Sequence, residues 1–126
     1  MICVDTSVWV DFFRGTHSSL VSELNELLED DSVCLAVPVW IEILSGASKK
    51  DKERLGKALS ALPRLYPQRS TWKLVEQWIK KASPKGETFG MGDLLIAAIA
   101  SENNAKIWSL DADFSRMAQL KFIQLY

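Results

Sequence analysis

Histidine and cysteine are scarce in this chain, and their scarcity excludes several kinds of site. Histidine occurs once in 126 residues, so an enzyme that uses two histidines as general acid and general base is excluded. His17 lies in the polar stretch RGTHSS, which predicts a surface position. The two cysteines, Cys3 and Cys34, lie in short apolar runs. There we expect buried free thiols rather than a disulfide or metal ligands, and therefore a reducing, cytoplasmic setting.

Long uninterrupted apolar segments are also absent. No stretch approaches the roughly 18 apolar residues that would suggest a membrane-spanning helix. Asp5 stands where a signal peptide would need a basic start and an apolar core. Apolar residues nevertheless make up 48% of the chain and aromatic residues 10%, which is enough for one core. We therefore expect a single domain over residues 1–126, with no membrane association.

The net charge of −1 conceals an uneven distribution of charge. Residues 49–85 contain eleven Lys or Arg and three acids, a net charge of +8. Residues 1–48 contain eight acids and one Arg, and residues 86–126 contain five acids and three basic residues. A basic segment beside acidic ones would draw phosphate groups toward a site that otherwise repels them. The run KKDKERLGK would equally form the solvated face of a helix.

Apolar runs that alternate with helical periodicity predict an α/β fold with a mostly parallel sheet covered on both faces. The predicted strands are Met1–Val4, Val33–Val37, Ile107–Leu110 and Phe122–Leu125, and RLYP is either a further short strand or a connector. The predicted helices cover VWVDFF and residues 18–28, 38–46, 51–62, 70–82, 92–102 and 115–119. Thr6 and Ser7 offer capping hydroxyls for the first helix, and residues 83–90 form the most flexible predicted loop.

Four carboxylates interrupt the most apolar stretches of the chain: Asp5, Glu42, Asp93 and Asp111. Solvated acids are normally interleaved with other polar residues, so the desolvation of these four must be offset. Two like charges about 4 Å apart repel each other by roughly 4 kcal/mol at an effective dielectric constant near 20. A divalent hard metal ion is the natural compensating charge.

The predicted elements bring these acids toward one edge of the sheet. Asp5 and Asp111 directly follow strands, Glu42 lies one helical turn after a strand, and Asp93 lies in the first turn of a helix. Each position also has an alternative explanation. Asp5 and Asp93 could be helix caps alone, Asp111 and Asp113 could cap the last helix, and Glu42 could pair with a buried arginine. Four such coincidences together are improbable, which favours a shared site.

Four segments of the sequence, VDTSVWVDFF, PVWIEILSG, GMGDLLIAAIA and IWSLDADF, resemble those of PIN domains. The resemblance runs from Ile2 to Phe114 and is strongest to the toxin ribonucleases of VapBC-type toxin–antitoxin pairs. It implies a PIN-like three-layer α/β/α fold with a mostly parallel central sheet of four to five strands. It also implies an endoribonuclease that hydrolyses RNA phosphodiester bonds with the help of Mg²⁺ or Mn²⁺.

The resemblance assigns roles to particular residues. It implies a catalytic set of acids around the metal ion: Asp5, Glu42, Asp93 and Asp111. Asp113 would be an auxiliary ligand, and the hydroxyls of Thr6 and Ser109 would orient the carboxylates. The family often has threonine where Ser109 stands, a departure that preserves the hydroxyl group.

The resemblance also implies partners: an RNA substrate, a cognate antitoxin whose C-terminal segment lies along the active-site groove, and a second copy of the chain in a homodimer. We expect basic residues within 49–85 to help hold the RNA. Six apolar residues could either line a partner groove or fill the core: Trp9, Phe12, Phe13, Trp40, Leu44 and Trp72.

Two rival functions follow from the same pattern. A catalytically weak PIN-like module would bind RNA or protein without hydrolysis, although all four acids are present. A phospho-receiver domain would need an acidic pair after the first strand, an Asp after a middle strand and a lysine after the last one. Asp5-Thr6, the block that contains Pro38 and the terminal FIQLY do not supply them, which argues against this rival.

Overall fold

The computed structural model describes the whole chain, Met1–Tyr126, and contains one four-stranded parallel sheet. The strands are β1 (Ile2–Val4), β2 (Val33–Ala36), β3 (Arg64–Leu65) and β4 (Lys106–Trp108), and their order in the sheet is β3-β2-β1-β4. Every strand pair is parallel. The predicted α/β class is confirmed, and the RLYP segment contains a strand rather than a connector.

Seven α-helices surround the sheet: α1 (Thr6–Arg14), α2 (Ser18–Glu29), α3 (Val37–Gly46), α4 (Lys49–Leu59), α5 (Arg69–Ala82), α6 (Met91–Glu102) and α7 (Ala112–Gln119). A 3₁₀ turn over Ser83–Lys85 follows α5. The layers form a three-layer α/β arrangement, as predicted. No helix of the structure combines the length and apolar character needed to cross a bilayer.

The core includes residues of the sheet and of all seven helices, and α6 contributes the longest buried run. Every residue from Leu94 to Ala100 is buried, which agrees with a helix that is apolar on all sides. Trp78 of α5 stacks on Phe122 with ring centroids 4.6 Å apart. Cys3 and Cys34 lie opposite each other on β1 and β2 as buried free thiols, which confirms the prediction for them.

The last predicted strand is wrong. Residues 122–125 make only one isolated bridge, between Ile107 and Leu125, and form no strand. Lys121 has a positive φ of 64°, which turns the chain, and the consecutive residues Phe122 and Ile123 are both buried in the core. A strand would place two consecutive side chains on opposite faces, so the sequence resembled a strand only in its apolar composition.

Several predicted boundaries also shift because polar side chains end or begin elements. Helix α7 begins at Ala112 rather than 115, because the side chain of Asp111 accepts a hydrogen bond from the N–H of Asp113 at 2.9 Å. Helix α4 begins at Lys49, since Ser48 caps it. The cap of α1 is Asp5 itself, not the hydroxyls of the two residues after it.

Candidate metal centre

Asp5 follows β1 and is 5% exposed, and one of its carboxylate oxygens accepts several hydrogen bonds. The hydroxyl groups of Ser7 and Ser109 each donate to Oδ2 at 2.8 Å, and the Ser7 N–H donates to the same atom at 3.4 Å. Oδ1 takes part in none of these bonds. Asp5 therefore has a fixed orientation with one oxygen held by the protein.

Ser7 and Ser109 connect the two strand ends that carry acids. Their hydroxyl oxygens are 3.3 Å apart. Ser7 Oγ accepts from the N–H of Leu110 at 3.0 Å, and Ser109 Oγ accepts from the N–H of Asp111 at 3.0 Å. The structure therefore places Ser109 against Asp5, and it places Ser7 there as well, which the sequence indicated only as a helix cap. A hydroxyl two residues after an acid at a strand end was the available signal. The role of Ser109 in orienting a metal ligand stays a prediction.

The hydroxyl of Thr6 contacts Glu42. It donates to Oε2 of Glu42 at 2.9 Å, from the start of α1 to the middle of α3. Oε1 of Glu42 would lie 3.6 Å from a Cβ atom at Gly92, the residue that precedes Asp93. Glu42 is exposed, and its carboxylate lies near the first turn of α6 but is not part of the tightest group of acids.

Asp93, Asp111 and Asp113 form the tightest group of acids. One carboxylate oxygen from each lies within 4.8 Å of the other two. Asp93 is in the first turn of α6, Asp111 caps α7, and Asp113 is in the first turn of α7. The structure thus brings three of the predicted acids together from two helix starts. Their roles as ligands stay a prediction.

The clustered carboxylates repel one another when no cation lies among them. The pKa of Asp93 is raised to about 7, first by burial and then by the charges of Asp111, Asp5 and Asp113. The positive end of the α6 dipole does not offset these effects. A donor set made only of carboxylate oxygens fits a hard divalent cation such as Mg²⁺ or Mn²⁺.

Arg116 is a further charged residue at this site that sequence reasoning missed. Its guanidinium group forms ion pairs with Asp113 and Glu87, and it lies 4.8 Å from the centre of the Phe89 ring. The spacing of three residues between Asp113 and Arg116 was the available signal, because such pairs meet on one helix face. That spacing gives no indication of the second ion pair, between Arg116 and Glu87.

A cavity of about 280 Å³ adjoins Glu42 between α1, α3 and α4. Arg14 and Arg54 lie on its walls, and Val10 and Phe13 contribute apolar surface.

Of the six apolar residues singled out from sequence, Trp9 belongs to the core and Trp72 is 47% exposed. The other four, Phe12, Phe13, Trp40 and Leu44, are half-buried. His17 is exposed, as predicted, and contacts Asp11.

Comparison with known proteins identifies the family of this chain. The PIN domain family matches residues 2–120. Ribonuclease VapC11 of Mycobacterium tuberculosis and VapC ribonuclease Mb1587 of Mycobacterium bovis are each 35% identical over 129 residues, which covers 98% of this chain and 96% of theirs.

Solved structures show the same fold at lower identity. A chain of VapBC2 from Rickettsia felis, bound to a promoter DNA fragment, has a TM-score of 0.82 at 22% identity and covers 100% of this chain and 98% of its own. A chain of VapBC-1 from nontypeable Haemophilus influenzae has a TM-score of 0.80 at 20% identity, with 100% and 97% covered. The protein described above therefore belongs to the PIN domain family, with VapC ribonucleases among its relatives.

Proposed function

We propose that this protein is a metal-dependent endoribonuclease and the toxin of a type II toxin–antitoxin pair. The observation that carries the proposal is the convergence of Asp93, Asp111 and Asp113 beside the buried Asp5. Relatives named as VapC ribonucleases, 35% identical over nearly the whole chain, support the activity. A cytoplasmic location is part of the proposal, since the RNA that such a toxin cuts is found there.

In this proposal Asp5, Glu42, Asp93 and Asp111 hold Mg²⁺ or Mn²⁺, with Asp113 as an auxiliary ligand. Bound there, such an ion would supply positive charge that lowers the pKa of water and offsets the negative charge of the phosphodiester. The chain's own residues prepare the site for it. Ser7 and Ser109 hold Oδ2 of Asp5, and Asp93 must give up its proton to act as a ligand. No side chain is required as nucleophile.

An antitoxin and a second copy of the chain are the proposed protein partners. Structures similar to this one include a toxin–antitoxin complex from Klebsiella pneumoniae, at 17% identity and a TM-score of 0.75. The cavity beside Glu42 is the proposed place for an antitoxin segment, because it combines apolar walls with Arg14 and Arg54 next to the acids. The homodimer rests on resemblance to the family alone.

We expect cleavage of RNA to require a divalent metal ion. EDTA should stop cleavage, and Mg²⁺ or Mn²⁺ should restore it, because the acids alone repel a phosphate. Ca²⁺ should not restore it, since its looser coordination positions water poorly. The measurement is the rate of cleavage of a labelled RNA after chelation and re-addition of each ion. Absence of cleavage with either Mg²⁺ or Mn²⁺ would favour the binding module.

We expect basic residues of α4 to bind RNA phosphates. Arg54 lines the cavity beside Glu42. It also lines a second cavity of about 330 Å³, together with Lys50 and Lys57. Replacing these three residues with glutamine should weaken RNA binding. It should also reduce the slope of log affinity against log salt by roughly 0.7 for each phosphate of a single strand that the protein no longer neutralises.

The measurement is RNA affinity at several salt concentrations in an Asp93→Asn background, which should bind without cutting. The matched control replaces Lys73, Lys80 and Lys81 on α5 with glutamine. It removes the same amount of positive charge, but from a helix that packs on α6 and does not line the cavity beside Glu42. An unchanged slope in the α4 variant would assign its lysines and arginine to solvated surface. A change in the α5 variant alone would move the RNA path to that helix.

A further inference from the structure

Arg116 lies one helical turn after Asp113, and its guanidinium group contacts two carboxylates at once. Nη2 donates to Oδ1 of Asp113, and Nη1 donates to Oε2 of Glu87. The side chain of Arg116 is 38% exposed, that of Asp113 32% and that of Glu87 29%. They form a partly shielded network, in which ion pairs are screened less than on open surface.

The same arginine connects two parts of the chain that carry acids of the site. Glu87 and Phe89 belong to the segment of residues 86–90, which leads directly into α6 and Asp93. The Arg116 guanidinium carbon lies 4.8 Å from the centre of the Phe89 ring, a distance typical of a cation–π contact. Arg116 therefore joins α7, which carries Asp113, to the segment that leads into Asp93.

We propose that Arg116 is a positioning residue for the metal centre, which holds the Asp113 carboxylate with one arm of its fork and the 86–90 segment with the other. Asp113 is thereby kept at the distance from Asp93 at which both can share one ion. Glu87 serves as the anchor of the second arm. This inference rests on the proposed function, since it needs a metal ion at these acids.

Charge and positioning predict opposite effects for Arg116. A positive charge beside a cation site repels the ion, so removal of the charge alone should tighten metal binding. Removal of the positioning interactions should weaken it, because Asp113 and the 86–90 segment would no longer be held. Lysine keeps the charge, but its single ammonium group cannot reproduce the planar fork that meets two carboxylates.

The test is a titration of Mn²⁺ alone into the metal-free protein, with binding measured by calorimetry. It is carried out on the unmodified chain, Arg116→Met and Arg116→Lys. We expect both variants to bind Mn²⁺ about 10- to 100-fold more weakly, the range seen when a group that orients metal ligands is removed. In RNA cleavage at saturating Mn²⁺, kcat should fall while KM stays nearly constant, because Arg116 is not proposed to touch RNA.

Glu87→Ala separates the two arms of the fork. We expect a smaller loss of Mn²⁺ affinity, since Asp113 keeps its ion pair with Arg116. The double variant with Arg116→Met should bind no more weakly than Arg116→Met alone, because Glu87 acts through the arginine. Additive losses of affinity would contradict the proposed connection between them.

Lys106→Met is the matched control, because it removes one positive charge at the start of β4, at the end of that strand opposite the acids. It should bind Mn²⁺ as the unmodified chain does. Arg116 variants that bind Mn²⁺ equally or more tightly would overturn the positioning role. Failure of the unmodified chain to bind Mn²⁺ would instead refute the metal site of the proposed function. If circular dichroism shows Arg116→Met unfolded, Arg116→Lys and Glu87→Ala decide the question.

Discussion

Asp93→Asn should lower RNA cleavage by at least about a hundredfold and leave the fold intact. A metal ion supplies several kcal/mol of transition-state stabilisation, and each 1.36 kcal/mol corresponds to a factor of about ten in rate. Asparagine has nearly the same shape but removes one of the three clustered charges. The measurement is the single-turnover rate with saturating RNA and Mn²⁺. Glu76→Gln, an exposed acid on α5, is the control and should cut at the parental rate.

The same substitution should stabilise the metal-free protein at alkaline pH. Because folding raises the pKa of Asp93 from 3.8 to about 7, the folded chain holds this proton more tightly than the unfolded chain. The stability that the proton provides is fully present below about pH 4 and is lost as the pH rises through about 7. After a discount for solvent screening, we expect Asp93→Asn to gain about 1 to 2 kcal/mol at pH 8.

Thermal unfolding in EDTA at several pH values checks this expectation. The difference in melting temperature between Asp93→Asn and the unmodified chain should be several degrees at pH 8 and should vanish near pH 4. Saturating Mn²⁺ should reverse the order at pH 8, because only the unmodified site binds the ion well. A variant that is equally stable at all pH values, or that cuts RNA at the parental rate, would contradict the role proposed for Asp93.

The sequence was sufficient to predict that Asp5, Asp93 and Asp111 come close together, because their proximity depends on topology. Asp5 and Asp111 follow parallel strands that are neighbours in the sheet, so their side chains must reach the same edge. Asp93 is brought there by the apolar helix α6, whose buried run from Leu94 to Ala100 places Asp93 at the first turn, where the helix reaches the surface. The pattern of apolar residues in the sequence predicts both the strands and this buried helix.

The interactions that hold the acids in place were not predictable in the same way. Ser7, Arg116 and Glu87 act through particular rotamers across turns, and the hydrophobic period carries no record of a rotamer. The contact of the Thr6 hydroxyl with Glu42 depends likewise on the first turn of α1. The terminal segment was misassigned because burial and strand formation use the same apolar residues, and the turn at Lys121 has no strong signature.

Asp5→Asn and Asp5→Ala should separate the chemical role of Asp5 from its structural role. Asparagine can still accept the hydrogen bonds of Ser7 and Ser109 through its amide oxygen and can still cap α1, so its folding stability should stay close to that of the unmodified chain. Alanine removes the cap and leaves two part-buried hydroxyls without this acceptor. We expect it to cost about 2 to 4 kcal/mol, from about 1 for the cap and about 1 to 3 for the missing hydrogen bonds.

Both variants should lose RNA cleavage and most Mn²⁺ affinity, because each removes the carboxylate. Urea unfolding in EDTA measures stability, and Mn²⁺ calorimetry at 25 °C measures binding in the folded state. The discriminating result is a large difference in unfolding midpoint between the two variants together with equal loss of cleavage. Equal midpoints would show that the hydrogen bonds from Ser7 and Ser109 add nothing to the fold. Retained cleavage in Asp5→Asn would remove Asp5 from the metal centre and leave it as a helix cap that joins the ends of β1 and β4.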